Sequence, residues 1–260
     1  MNSIKGKNYD IKGKSPWWWV PTLYFAEGIP YFVVNTISVM MFTRMGVANG
    51  DMSFFTTLLY FPWFLKGIWS PIVDIIKTKR WWILTMQAVM TLLMILLTIS
   101  LPHPTQETIT SGHTPISMFT FTLILFIITA FASATHDIAA DGFYMLALDP
   151  HEQSLYVGIR STFYRIATIA GSGLLIMLAG TLETFTRRIA YSWSIAFYVL
   201  AAFFIAVTAY HFFHLPRPDC DRTRKAVSAR KLLKDIWLTV TSFFRKPQPV
   251  AAVLFMLFYR

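Results

Sequence analysis

Six runs of roughly 20 or more mainly apolar residues divide this chain, and nothing else in it constrains the fold so tightly. A hydrocarbon layer about 30 Å thick takes some 20 helical residues to cross at about 1.5 Å each. Inside that layer the backbone finds no water, so a segment must satisfy its own N–H and C=O groups as a helix or close into a barrel. The runs are continuous and do not alternate with polar residues, which selects helices. They cover residues 17–41, 52–76, 81–100, 116–140, 155–182 and 190–213. A further apolar run occupies 250–260, about half a span. The expected architecture is an all-α polytopic membrane protein. It has a polar tail at 1–16, a six-helix bundle at 17–214, a connector at 215–249 and the start of a seventh helix at 250–260, where a longer chain would continue.

Composition agrees. Only 14% of the 260 residues are charged and 55% are hydrophobic, against about 25% charged in a soluble domain. The net charge of +10 raises nucleic acid as a partner, but the basic residues fall between the apolar runs, and no nucleic acid is needed to explain them. Lys5, Lys7, Lys12 and Lys14 precede the first run, Lys77, Lys79 and Arg80 follow the second, and nine Lys or Arg lie between Arg217 and Lys246. The other side carries Arg44, Arg187 and Arg188. This bias predicts a cytoplasmic amino terminus, with the chain returning to the cytoplasm after six spans. The single cysteine, Cys220, excludes an intrachain disulfide, and the first apolar stretch lacks a small-residue cleavage site, so it is read as a retained span. In the connector, Leu233, Trp237, Val240 and Phe244 recur at helical spacing opposite Arg230, Lys231 and Lys234, a pattern that suits equally a helix on the inner membrane surface and a solvated linker helix.

Charges inside the spans carry the functional signal. The sequence FASATHDIAADGF at 131–143 places Asp137 and Asp141 four residues apart, on one helix face with Ser133 and Tyr144. A charge in hydrocarbon costs at least about 2.5 kcal/mol, so both acids must face protein or water. In the first span Tyr24, Glu27, Tyr31, Asn35 and Ser38 form a polar stripe, with Glu27 roughly 15 Å deep. Pro21, Gly28 and Pro30 predict a kink or break around that acid. Arg165 lies at similar depth in the fifth span beside Tyr164 and Thr168, and depth alone makes it the expected partner of Glu27. Arg160 reads as interfacial. Lys66 shares a face with Ser70 and Asp74, and its long stem lets the ammonium reach the inner surface. Gly171, Gly173 and Gly180 with Ala167 read as a helix-packing surface. His103 and His113 lack ligand spacing, His136 is expected to partner the acids, and no cofactor or metal site is expected.

Three stretches together carry a resemblance. LYFAEGIPY at 23–31, PWFLKGIWSPIVD at 62–74 and ATHDIAADG at 134–142 resemble the first, second and fourth helices of the muropeptide permeases. These are peptidoglycan-recycling importers of the bacterial inner membrane and belong to the major facilitator superfamily. Acetyl-CoA transporters and some siderophore importers share the pattern. Asp74 with Lys79 and Arg80 matches the superfamily's loop motif, although Thr78-Lys79-Arg80 stands where Gly-Arg-Arg is usual. The resemblance implies two six-helix halves with substrate held between them at mid-membrane, so that a carboxy-terminal half would be the partner of this one. It implies a proton symporter for an anionic solute, embedded in the lipid bilayer. Lys66 and Arg165 would receive carboxylates, Glu27, Asp137 and Asp141 would exchange protons, and Tyr31, Asn35 and Tyr164 would line the path. The alternatives are a carrier of another anion (siderophore, peptide or CoA-linked metabolite), a membrane phosphotransferase, or a non-transporting assembly half. The spaced aspartates Asp137 and Asp141 lack the further aspartate pairs that the phosphotransferase reading needs, and no phosphate-binding glycine loop is present.

Overall fold

In the computed structural model, residues 15–112 and 114–222 are described, together with 237, 238, 241, 242 and 245. The tail before Ser15, most of the connector and the seventh apolar run lie outside the described residues. The described chain is helical throughout: α1 (Val20–Phe32), α2 (Ser38–Arg44), α3 (Asn49–Ile75), α4 (Lys79–Ser100), α5 (Gln106–Ser111), α6 (Thr120–Ala147), α7 (Pro150–Thr186) and α8 (Ile189–His214). The short turn Pro16–Trp18, α1 and α2 run together as one apolar rod, Pro16–Arg44. Among the described residues five helices are long and apolar enough to cross a membrane. The sixth long helix, α3, has 27 residues but is diluted by Lys66, two prolines, two tryptophans and several hydroxyl residues.

The first rod is not broken at Glu27. Pro21 occupies the second position of α1, where its missing N–H costs nothing, and the helix runs on through Gly28. The irregularity comes a turn later. Pro30 leaves a backbone acceptor without its usual donor, and Val33–Ile37 winds as a π-helical turn before α2 resumes. The Asn35 side-chain amide donates to Tyr31 O at 2.9 Å and stitches the two segments together.

α1 is the central rod, with 72% of its apolar window buried, whereas α7 has 22% and leaves most of its face open. α1 packs against α7 and α6, α4 lies between α6 and α8, and α3 covers α6. Small residues set these distances. A side chain at Gly28 would place its Cβ 2.9 Å from Tyr164 O and 3.0 Å from Ala167 Cβ, so α1 and α7 touch backbone to backbone. Gly171 continues that seam against Phe32, but Gly173 and Gly180 face open space, so the expected glycine surface is narrower than its sequence pattern. On α6, Ala130, Ala134, Ala139, Ala140 and Ala147 are fully buried and let α1, α3 and α4 approach its axis.

The turn between α3 and α4 is tied down at several points. Lys77 takes a left-handed backbone conformation (φ 67°), and the Thr78 hydroxyl accepts from Trp81 N. Asp221 then accepts from the backbone N–H groups of Lys79 and Arg80 at 2.7 and 3.0 Å, completing the cap of α4. Arg80 in turn donates to Phe212 O and Leu215 O, carbonyls at the end of α8. The residues just after α8 are thereby strapped across the start of α4.

Candidate functional site

The α6 acid face meets α1, α3 and α7. Asp141 is held by two donors on one oxygen: Tyr24 Oη at 3.1 Å and Arg160 Nη2 at 3.1 Å. The Arg160 guanidinium also lies 4.6 Å from the Tyr24 ring centre and 5.1 Å from that of Tyr144, and the two rings stand edge to face. Two aromatic faces and one carboxylate therefore fix this arginine, a combination that favours Arg over Lys. One turn along α6, Asp137 Oδ2 is 3.6 Å from Lys66 Nζ. Tyr31 packs its ring edge-on to Trp63 of α3 at 5.0 Å.

Glu27 is buried beside this pair of ion pairs, and its Oε2 has no hydrogen-bond partner. The charged groups acting on it are Asp137, Asp141, Arg160 and Lys66. Arg165 is not among them. Its side chain is exposed on α7, and no ion pair joins it to Glu27. The reason is rotational phase. The α1-facing stripe of α7 runs through Arg160, Tyr164, Ala167 and Gly171, and Arg165 stands about 160° from Ala167 at 100° per residue. Depth matched the wrong arginine; Arg160, expected to be interfacial, takes the interior position.

Lys66, Ser70, Asp74, Lys79, Asp141 and Gly142 line a cleft of about 390 Å³ between α3 and α6. At its basic end Lys79 is buried and ion-paired with Asp74. Gly142 makes room for that lysine, since a Cβ there would come within 2.8 Å of Lys79 Cε. The expected face of Lys66, Ser70 and Asp74 therefore exists, and it opens on the acids. Tyr164 contributes its carbonyl to the Gly28 crossing, and Asn35 is buried two turns beyond Glu27 with its Oδ1 unpartnered.

His136 corrects a second expectation. It turns away from Asp137, and its Nε2 lies 3.0 Å from the Gln87 amide nitrogen. Gln87 also reaches His211 Nδ1, whose Nε2 is 3.1 Å from Thr22 Oγ1. This buried chain ties α6, α4, α8 and α1 together on the side of α6 away from the acids. A neighbour on the opposite face of a helix was available to His136, and adjacency in sequence to Asp137 concealed it.

A helical bundle with five membrane-length apolar helices and ion pairs in its interior is a polytopic membrane protein. The Major Facilitator Superfamily pattern matches residues 22–259, and the chain belongs to that superfamily. It is 26% identical over 239 residues to an uncharacterised protein of Haemophilus influenzae, covering 90% of this chain and 50% of that protein. It is 31% identical over 153 residues to an uncharacterised protein of Schizosaccharomyces pombe, covering 56% of this chain and 28% of that protein. The chain thus spans half or less of the curated relatives it matches.

Proposed function

We propose that this chain is the six-helix amino-terminal half of a secondary transporter that imports an anionic solute together with a proton. The solute class we favour is a cell-wall-derived muropeptide or a related sugar-peptide, taken up across a bacterial inner membrane with the amino terminus in the cytoplasm. One observation carries the reading: Lys66 is the accessible member of its ion pair. The Lys66 side chain is 38% exposed while its partner Asp137 is 10% exposed. Arg160 and its partner Asp141 are both partly exposed, and the arginine is presented between two aromatic faces that suit a sugar-peptide as well as an arginine. An incoming carboxylate can replace an aspartate on either cation, and no net charge is added when the displaced aspartate takes up a proton. Lys66 and Arg160 then receive the solute, and Asp137, Asp141 and Glu27, released from their counter-charges, take up the proton. Tyr31, Asn35 and Tyr164 extend the path along α1 and α7. Asp74, Lys79 and Arg80 anchor the turn between α3 and α4 and act in the rocking of one half against the other.

The open face of α7 and the half-length match to the relatives support a second half as partner, since a solute site at mid-membrane needs both walls. The test is uptake of labelled anhydromuropeptide by the intact protein in proteoliposomes with an imposed pH gradient. Gradient-dependent uptake, competed by unlabelled muropeptide, is expected. Competition by a siderophore, peptide or CoA-linked anion instead would reassign the solute. No uptake of any of these by the intact protein would defeat the carrier reading.

A further inference from the structure

The cleft between α3 and α6 has a neighbour. A second cavity, of about 250 Å³, adjoins it, and Asp74, Lys79, Gly142 and Met145 line both. From one to the other the remaining lining changes. The first holds Lys66, Ser70 and Asp141, whereas the second holds Lys77 of the α3–α4 turn and Cys220, Asp221 and Arg222 of the strap that follows α8. The strap forms the outer wall of the second cavity. It is tied to the end of α6 by the Cys220 thiol, which donates to Leu146 O at 3.2 Å.

Lys77, Lys79 and Arg222 face only two acids in this cavity, and both acids are already engaged. Asp74 is ion-paired with Lys79, and Asp221 accepts from the backbone N–H groups of Lys79 and Arg80. Among the described residues, Lys77 and Arg222 pair with no carboxylate. Arg222 Nε donates to Asp219 O at 2.8 Å, which orients the guanidinium through one of its five N–H donors. The general bias of inner loops toward basic residues would scatter such groups over the surface. Here two of them share a walled cavity with the buried Lys79, where water screens less than on an open loop, so an oxyanion gains more from them.

We infer that this cavity is a second anion subsite, which takes a carboxylate or phosphate group of the solute between the cleft and the strap, with Lys77 and Arg222 as its ligands. The solute's passage rests on the carrier reading above; the binding of an oxyanion rests on the cavity alone. An acid group received at Lys66 passes Lys79 and meets Lys77 and Arg222, so positive charge accompanies it from one cavity to the next. Cys220 stands in the wall of the subsite and reports its occupancy.

The experiment is alkylation of Cys220, an exposed thiol, by a neutral maleimide in the intact protein in micelles, followed by mass spectrometry of the peptide that carries it. At fixed pH and ionic strength the protein is titrated with inorganic phosphate, with anhydromuropeptide and with phosphatidylglycerol, against chloride. Expected is a saturable slowing by phosphate and by the muropeptide, and none by chloride. Lys77→Gln with Arg222→Gln, both at exposed positions, should raise the half-protecting concentration by about tenfold. That concentration is compared and not the rate, because nearby cations also alter the reactivity of a thiol. No protection by either soluble anion would overturn the proposal, as would the same half-protecting concentration in the double variant. Protection by phosphatidylglycerol alone would overturn it too, by making the cavity a lipid seat off the solute's path. Phosphate protection in a protein that takes up no solute would uphold the subsite and defeat the carrier reading; uptake without protection would do the reverse.

Discussion

Removing Lys66 should cost more than removing Lys66 and the charge of Asp137 together. The two groups stand 3.6 Å apart, with Asp137 nearly enclosed and Lys66 partly open to the cleft. At an effective dielectric constant of about 20 their attraction is roughly 5 kcal/mol before desolvation. Breaking a fully buried pair by deleting one partner costs about 3–5 kcal/mol, because the remaining charge is stranded. Water at the lysine end screens the pair, so about 2–3 kcal/mol is expected for Lys66→Met, which keeps the stem and removes the ammonium. At about 2–4 °C per kcal/mol that is a midpoint drop on the order of 4–12 °C. Lys66→Met with Asp137→Asn leaves no stranded charge and should recover most of the loss. The assay is thermal unfolding of the intact protein in micelles, all three variants measured at one scan rate. A double variant as unstable as Lys66→Met, or a single variant as stable as the parent, would refute the pairing.

Gly28→Val should lower the midpoint by several degrees, since even the first carbon of a side chain meets Tyr164 O at 2.9 Å and must push α7 away, an overpacking cost of about 1–3 kcal/mol. Gly173→Ala, facing open space, should leave the midpoint within about 1 °C of the parent and serves as the control; equal losses at both positions would contradict the α1–α7 seam. For topology, native Cys220 should resist an impermeant maleimide in intact cells, whereas Thr110→Cys in a Cys220→Ser background should react. The opposite labelling pattern would reverse the proposed orientation. Arg165→Ala, a change at an exposed site with no ion pair to Glu27, should leave the unfolding midpoint unchanged, while Arg160→Ala should lower it by freeing Asp141 and two aromatic faces; the reverse order would restore the depth-based pairing.

The helices were legible because the membrane leaves the chain so few options. Runs of about 20 apolar residues mark where the helices lie, although α6 runs on to Ala147 and α7 spans Pro150–Thr186, beyond the expected limits of 140 and of 155–182. The i, i+4 spacing of Asp137 and Asp141 places them together without knowledge of any neighbour. The stripe from Tyr24 to Asn35 was readable for the same reason. What lies between helices was not. Arg160 and Arg165 are both arginines of one span, and only the rotation of α7 about its axis, set by the Gly28–Ala167 contact, decides which turns inward. His136 was lost in the same way, since Gln87 and His211 are distant in sequence and no local pattern points to them. The π-helical turn follows Pro30 by a few residues, so proline predicted an irregularity and missed its place. Periodicity fixes a face; packing alone fixes what that face meets.

The central claim is that the buried carboxyl of Glu27 couples ion entry to solute entry. Glu27→Gln keeps the shape of the side chain and removes its ability to exchange a proton. In the intact carrier, reconstituted with the outer compartment acidic, the wild-type protein should accumulate labelled solute above its external concentration, and the rate should fall as the outside is made alkaline. With Gln at this position uphill uptake should vanish, while solute binding and downhill exchange remain measurable. Uphill uptake by Glu27→Gln at the wild-type rate would contradict the account and move the coupling role to Asp137 and Asp141.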